Sequence, residues 1–172
     1  MNVTFLGTGT SHGVPSLDCM LSGYARCPKG VCQASRTDPR HARTRCSIAV
    51  DIDGRTILVD VSLDFRAQAL RERLARVDAI LLTHRHMDHI GGIPDIRSYT
   101  REYVPVYGSE ETIGEVRGAY RYAFDPDAFV GGGIPRLSAR VVTGPFELFG
   151  EPVVPLPVEH GILQGCLGYR IG

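Results

Sequence analysis

The chain has 172 residues, 43% of them hydrophobic, with 19 basic and 19 acidic side chains and so no formal net charge. That length suits one domain with enough apolar material for a packed core, and the charge balance argues against a broad basic face that binds nucleic acid through many uncompensated cations. No window reaches the ~20 apolar residues of a membrane span and no secretion signal opens the chain, so the expected location is the cytoplasm.

The 20 glycines and 11 prolines point to many turns between short elements. Val3 to Leu6 reads as a short strand closed by the turn Gly7-Thr8-Gly9-Thr10-Ser11. Residues 12–45 form a polar stretch of little periodicity, a loop long enough to require a function or a tie. Ser47–Asp51 and Thr56–Asp60 are apolar runs joined through Asp53-Gly54, a hairpin signal. Asp64 then opens a helix as N-cap or first-turn acid, with Phe65, Ala69, Leu70, Leu74 and Val77 at roughly helical spacing. Ala79-Ile80-Leu81-Leu82 is a continuous apolar run, as in a strand buried on both faces. It delivers the chain to Thr83 and a histidine-rich loop, after which Gly91-Gly92 and Pro94 accompany a short helix. Val104–Tyr107 is a strand, and Ser109-Glu110-Glu111 begins another helix. Beyond Gly131-Gly132-Gly133, strands are predicted over Arg140–Thr143, Phe146–Phe149, Val153–Val158 and Cys166–Ile171. The sum is one mixed α/β domain over residues 1–172 with hairpins at both ends.

Thr83-His84-Arg85-His86-Met87-Asp88-His89 concentrates three of the chain's six histidines beside a carboxylate. Neutral imidazole and carboxylate are ligands that zinc, manganese and iron accept readily. A turn directly after a buried strand can project His84 and His86 toward one metal, and Asp88 and His89 toward a neighbour. Two metals ~3.5–4 Å apart can then clamp a bridging hydroxide and the substrate oxygens. The competing reading is a solvated, histidine-rich surface loop. Of five cysteines, Cys19, Cys27 and Cys32 cluster; without a secretion signal they read as metal ligands before disulfides, with free, reduced thiols as the alternative. Cys46 and Cys166 fall in strand-like apolar settings and read as core residues.

His-x-His-x-Asp-His after an apolar strand ending in Thr is the signature of the metallo-β-lactamase superfamily, which this chain resembles over nearly its whole length. The resemblance includes Gly7-Thr8-Gly9-Thr10-Ser11-x-Gly13-Val14-Pro15, the cysteine cluster, Asp38-Pro39-Arg40, Ile57-Leu58-Val59-Asp60, Asp64-Phe65-Arg66-x-Gln68 and Leu167-Gly168-Tyr169-Arg170-Ile171-Gly172. The combination is similar to the branch that includes the PhnP-type cyclic-phosphate phosphodiesterases. It implies an αββα sandwich of two sheets between helices, with His84, His86 and His160 on a first metal and Asp88 and His89 contributing to a second. Both ions would be zinc or manganese, and Asp88 would also orient the nucleophilic water. Asp60 would accept a hydrogen bond from a ligand imidazole and fix its tautomer; a strand-terminal turn aspartate is the plainer reading.

Within that branch Cys19, Cys27 and Cys32 resemble ligands of a separate structural zinc, with His12 and His41 as local candidates for a fourth. Thr8, Gly9, Thr10 and Ser11 could present N–H groups and hydroxyls to a phosphate, or be merely a tight strand exit. Relatives of this kind continue past the Gly-Tyr-Arg-Ile-Gly strand with a metal-bridging aspartate and late histidines. The resemblance therefore implies that a chain ending at Gly172 lacks the C-terminal part of the fold. The expected activity is hydrolysis of a small cyclic phosphodiester by a metal-bound hydroxide, with no extended nucleic-acid surface, no membrane partner, and a homodimer left open. The alternatives are a tRNA 3′-processing nuclease, a thioester or lactam hydrolase, and a non-catalytic metal-binding module.

Overall fold

The computed structural model describes residues 1–100, 102–128 and 133–172; of the glycine run, Gly131 and Gly132 lie outside them. In chain order the elements are β1 (Asn2–Gly7), α1 (Leu17–Leu21), α2 (Val31–Ala34), β2 (Ser47–Ile52), β3 (Arg55–Val59), α3 (Phe65–Glu72), β4 (Ala79–Leu81) and α4 (Met87–Ile90). They continue with β5 (Val104–Gly108), α5 (Glu110–Ala119), α6 (Arg121–Phe124), β6 (Leu137–Val141), β7 (Phe146–Leu148), β8 (Glu151–Pro157) and β9 (Leu167–Ile171). Single 3-10 helices cover Pro39–His41 and Ile93–Ser98.

Strands β1 to β6 lie in sequence order in one six-stranded sheet, and β7 to β9 form a second, antiparallel sheet of three. In the larger sheet β1, β2 and β3 pair antiparallel, while β3 to β6 run parallel. Side chains alternate across a strand, and the cores follow that period. Ala49, Leu58, Ile80, Leu82 and Val106 face a cluster filled by Phe65, Ile90, Ile93, Ile96, Ile113 and Val116 of the helices. Val50, Ile57, Ala79 and Leu81 face Leu148 and Val153 of the second sheet, and Tyr107 stacks on Phe146 with ring centroids 4.9 Å apart. Helices, larger sheet and smaller sheet thus make three successive layers. Strand β4 is buried along its whole length because it lies between the two cores and feeds both, as its uninterrupted apolar run requires. No helix among the described residues is long and apolar enough to cross a membrane.

Three local expectations need correction. Residues 12–45 are not structureless: Ser16 caps α1 by accepting the Cys19 N–H at 3.2 Å, and Asp38 caps the Pro39–His41 turn. Paired backbone bonds between Val14 and Arg43, and from Gly9 N–H to Thr44 O, close this excursion at its base. Helix α3 ends well before Val77, because Arg73 takes a left-handed conformation (φ 52°) and closes the last turn; Leu74 and Val77 reach the same core from the connection that follows. Asp64 does sit at the N-cap, yet its carboxylate bonds no helix amide. It accepts instead from the Arg45 backbone and guanidinium at 2.8–3.1 Å, tying the helix to the segment that leads into β2.

Candidate metal centre

Parallel strands β3 and β4 end side by side, and the chain leaves both carboxyl ends into the same corner, where open α/β sheets place their ligands. Asp60 follows β3 directly, in a left-handed conformation (φ 61°) that aspartate tolerates better than most residues. Its N–H donates to Leu81 O at 2.9 Å. Thr83 to His86 follow β4, and α4 begins at Met87 with His86 as N-cap. Gly92 seats this segment: a side chain there would meet Ser62 O at 2.1 Å, so only glycine lets the backbone come this close.

The second sheet closes the corner from the other side. Leu167 N–H donates to Thr83 O at 2.8 Å, and Tyr169 Oη donates to Leu82 O at 2.8 Å. Burial first, and then the Asp60 charge, push the Tyr169 phenol well above its ordinary pKa. The β8–β9 connection carries His160, which bridges to Leu163. Gly165 (φ 74°) lies against Ser109 and Glu111 at the start of α5, where a side chain would meet the serine Oγ at 2.6 Å.

One ligand atom each from His84, His86 and His160 falls within a span of 4.8 Å. Ring centroids are 4.8 Å apart for His84 and His86, 5.0 Å for His84 and His160, and 5.3 Å for His86 and His160. His84 is buried while the other two are exposed. Burial, followed by the charge of His89, lowers the His84 pKa to about 4, so its ring is neutral at physiological pH. The His86 and His160 rings make no hydrogen bond with the protein among the described residues. Three converging imidazoles with unshared nitrogens fit a divalent ion of the zinc or manganese type.

Asp88 and His89 lie beside this trio but outside its 4.8 Å span. His89 Nε2 is 3.2 Å from Asp88 Oδ2, and its Nδ1 is 2.6 Å from Asp60 Oδ2. Burial pulls the His89 pKa down, but the Asp60 hydrogen bond and the charges of Asp60 and Asp88 outweigh it and leave it raised. Asp60 is buried and accepts from an imidazole, the arrangement that fixes a ring tautomer. It also accepts the Thr83 N–H on Oδ1 at 2.8 Å and the Thr83 hydroxyl on Oδ2 at 2.7 Å, while Ser47 Oγ donates to its carbonyl. Thr83 reads in the sequence only as a strand end; its hydroxyl beside a candidate ligand histidine is the signal that marks it.

Cys19, Cys27 and Cys32 bring their sulfurs within 4.8 Å of one another, although seven residues separate the first two. Helix α1 and the turns after it take up the intervening chain. All five cysteines are free, and no fourth metal-binding side chain joins the trio among the described residues. His12 and His41 lie instead 3.8 Å from Asp18 and Asp38. The Cys32 N–H, bonded to Cys27 Sγ, lowers the Cys27 thiol pKa. Cys166 is buried as expected, but Cys46 is exposed, because it precedes β2 rather than lying in it. The Gly9 N–H, expected to face a phosphate, is spent on Thr44 O at 2.7 Å. Side chains on Gly7 or Gly9 would strike the backbone of residues 43–45, so this turn is a tight strand exit. Thr8, Thr10 and Ser11 are exposed beside it.

Several known proteins are similar to this chain. A solved diphosphatase of the PhnP family is 36% identical with a TM-score of 0.80, covering 99% of this chain and 62% of its own. Zn²⁺-bound PqqB from Methylobacterium extorquens has the same fold, with a TM-score of 0.71 at 23% identity. An octanoyltransferase of Porphyromonas gingivalis is 37% identical over 176 residues, all of this chain but 33% of that protein. The chain thus spans about a third of that relative and under two thirds of the two solved structures. The family model described as the Beta-lactamase superfamily domain matches residues 55–172, and this chain belongs to that family.

Proposed function

We propose that the chain acts as a metal-dependent hydrolase of small cyclic phosphodiesters. The observation that carries this reading is the convergence of His84, His86 and His160 from two different sheets onto one point at the carboxyl ends of β3 and β4. A divalent ion held there, zinc or manganese, would supply a Lewis acid for phosphoryl oxygens and an activated water. His89 Nε2 and Asp88 offer donors for a second ion, since His89 Nδ1 is already committed to Asp60. Asp88 orients the attacking water by accepting its hydrogen bond, and Asp60 keeps the His89 ring in the orientation that faces the site. Cys19, Cys27 and Cys32 would hold a structural zinc that ties the residue 12–45 excursion. The substrate is small, because the chain has no excess of cations to follow a polynucleotide backbone.

A second reading, cleavage of a diphosphate linkage, is favoured by the 36% identity to the PhnP-family diphosphatase. The test is manganese- or zinc-loaded protein offered bis(p-nitrophenyl) phosphate, a 2′,3′-cyclic nucleotide, a dinucleoside diphosphate, a precursor tRNA and a β-lactam. Turnover of the cyclic diester, abolished in His86→Ala with the fold intact, is the expected result. Preference for the diphosphate establishes the second reading. Ion binding without turnover of any substrate overturns both, in favour of a non-catalytic metal-binding module.

A further inference from the structure

A threonine hydroxyl carries one proton and two lone pairs. Thr83 Oγ1 lies 2.7 Å from Asp60 Oδ2 and 2.9 Å from His84 Nδ1. An ionised carboxylate only accepts, so two oxygens at that separation need the hydroxyl proton between them. The same proton cannot also serve His84. In the remaining contact the ring must donate, with the hydrogen on Nδ1 and the threonine oxygen accepting.

Asp60 has no freedom to release that proton by turning away. Its Oδ1 is held by the Thr83 N–H, its Oδ2 by His89 Nδ1, and the residue is 3% exposed. Hydrogen-bond direction therefore runs one way, from His84 to Thr83 to Asp60, with His89 joining at the same carboxylate. His84 then keeps Nε2 as its free lone pair, whereas His89 Nε2 lies 3.2 Å from Asp88 Oδ2.

We infer that Thr83 is a positioning residue of the metal centre, whose hydroxyl relays the Asp60 constraint to His84 and holds that ring as its Nδ1–H tautomer. The inference rests on reading His84, His86 and His160 as metal ligands. Asp60 reaches His89 directly but has no hydrogen bond to His84; one carboxylate orders two imidazoles only because the threonine extends it. A residue without the hydroxyl opens the Nε2–H form, in which a proton occupies the nitrogen that would bind metal. Serine preserves the relay; valine keeps the shape and removes it.

The test reads the tautomer without metal and the affinity separately. ¹⁵N NMR of the histidine rings in the intact metal-free protein near neutral pH should show His84 protonated on Nδ1 in the wild type and in Thr83→Ser. Thr83→Val should show a mixed or Nε2–H ring, with Mn²⁺ affinity, followed by the EPR signal of the free ion, falling roughly 10–100-fold. Thr83→Ala carries the same test should the valine variant not fold. A wild-type His84 protonated on Nε2 overturns the inference by itself, as does a hydroxyl-free variant with unchanged tautomer and affinity. If His86→Ala leaves Mn²⁺ affinity unchanged, the metal reading has failed instead, and the metal-free tautomer still decides the role of Thr83.

Discussion

Asp60 shows how much of this candidate centre depends on a side chain outside its three converging imidazoles. Its backbone is left-handed and its carboxylate is surrounded by donors from Thr83 and His89. Asn adopts the same backbone region at least as readily as Asp, so Asp60→Asn changes charge and proton direction while leaving the turn intact. An amide must point its NH₂ at one set of these donors, and either orientation puts donor against donor. With the NH₂ toward His89, that ring loses its acceptor on Nδ1 and can carry its proton on Nε2 instead. The expected outcome is a 10–100-fold loss of Mn²⁺ affinity by calorimetric titration, roughly the effect of removing such a partner elsewhere. Unchanged affinity would mean that the His89 ring is held without the carboxylate.

At the scale of elements, the centre depends on how β9 docks against the end of β4. Tyr169 spans that junction, and Tyr169→Phe leaves Leu82 O without its side-chain donor, a loss of about 1–3 kcal/mol for a buried acceptor. Urea denaturation should report that loss, and Mn²⁺ affinity should fall with it, because the strand that positions His160 has lost its anchor. A stability loss with no change in affinity would show that Leu167 alone sets the register. These dependencies explain what the sequence could reveal. His84, His86, Asp88 and His89 are legible because one turn after one strand carries them all, and local spacing suffices. His160 is legible only through family resemblance, since its place depends on a second sheet docking through Tyr169, Leu148 and Val153. Helices α1 and α2 escape notice because each is barely one turn long and held by caps and closing backbone bonds rather than an apolar stripe. Cys46 misleads for a related reason: its neighbours Ser47 to Ile52 form a strand, but the strand starts one residue later.

For the whole molecule, the layers contribute unequally. The larger sheet and the turns leaving it supply Asp60, Thr83, His84, His86, Asp88 and His89, whereas the smaller sheet supplies His160 alone. An ion bound by all three imidazoles joins layers that otherwise meet through an apolar interface and a few hydrogen bonds. Its binding energy then becomes folding energy, about 2.7 kcal/mol at a hundredfold excess over Kd. For a chain of this size that corresponds to a rise in Tm of roughly 5–10 °C. Manganese is the useful probe, because it favours oxygen and nitrogen donors over thiolates and so leaves the cysteine trio aside. His160 is exposed, so His160→Ala should leave the metal-free Tm nearly unchanged, within about 0.5 kcal/mol of stability. In that variant the manganese-induced rise should largely disappear, while in wild type a chelator should reverse it. A rise that persists without His160 would mean the ion is held by the larger sheet alone, with the second sheet a cover for the centre rather than part of it.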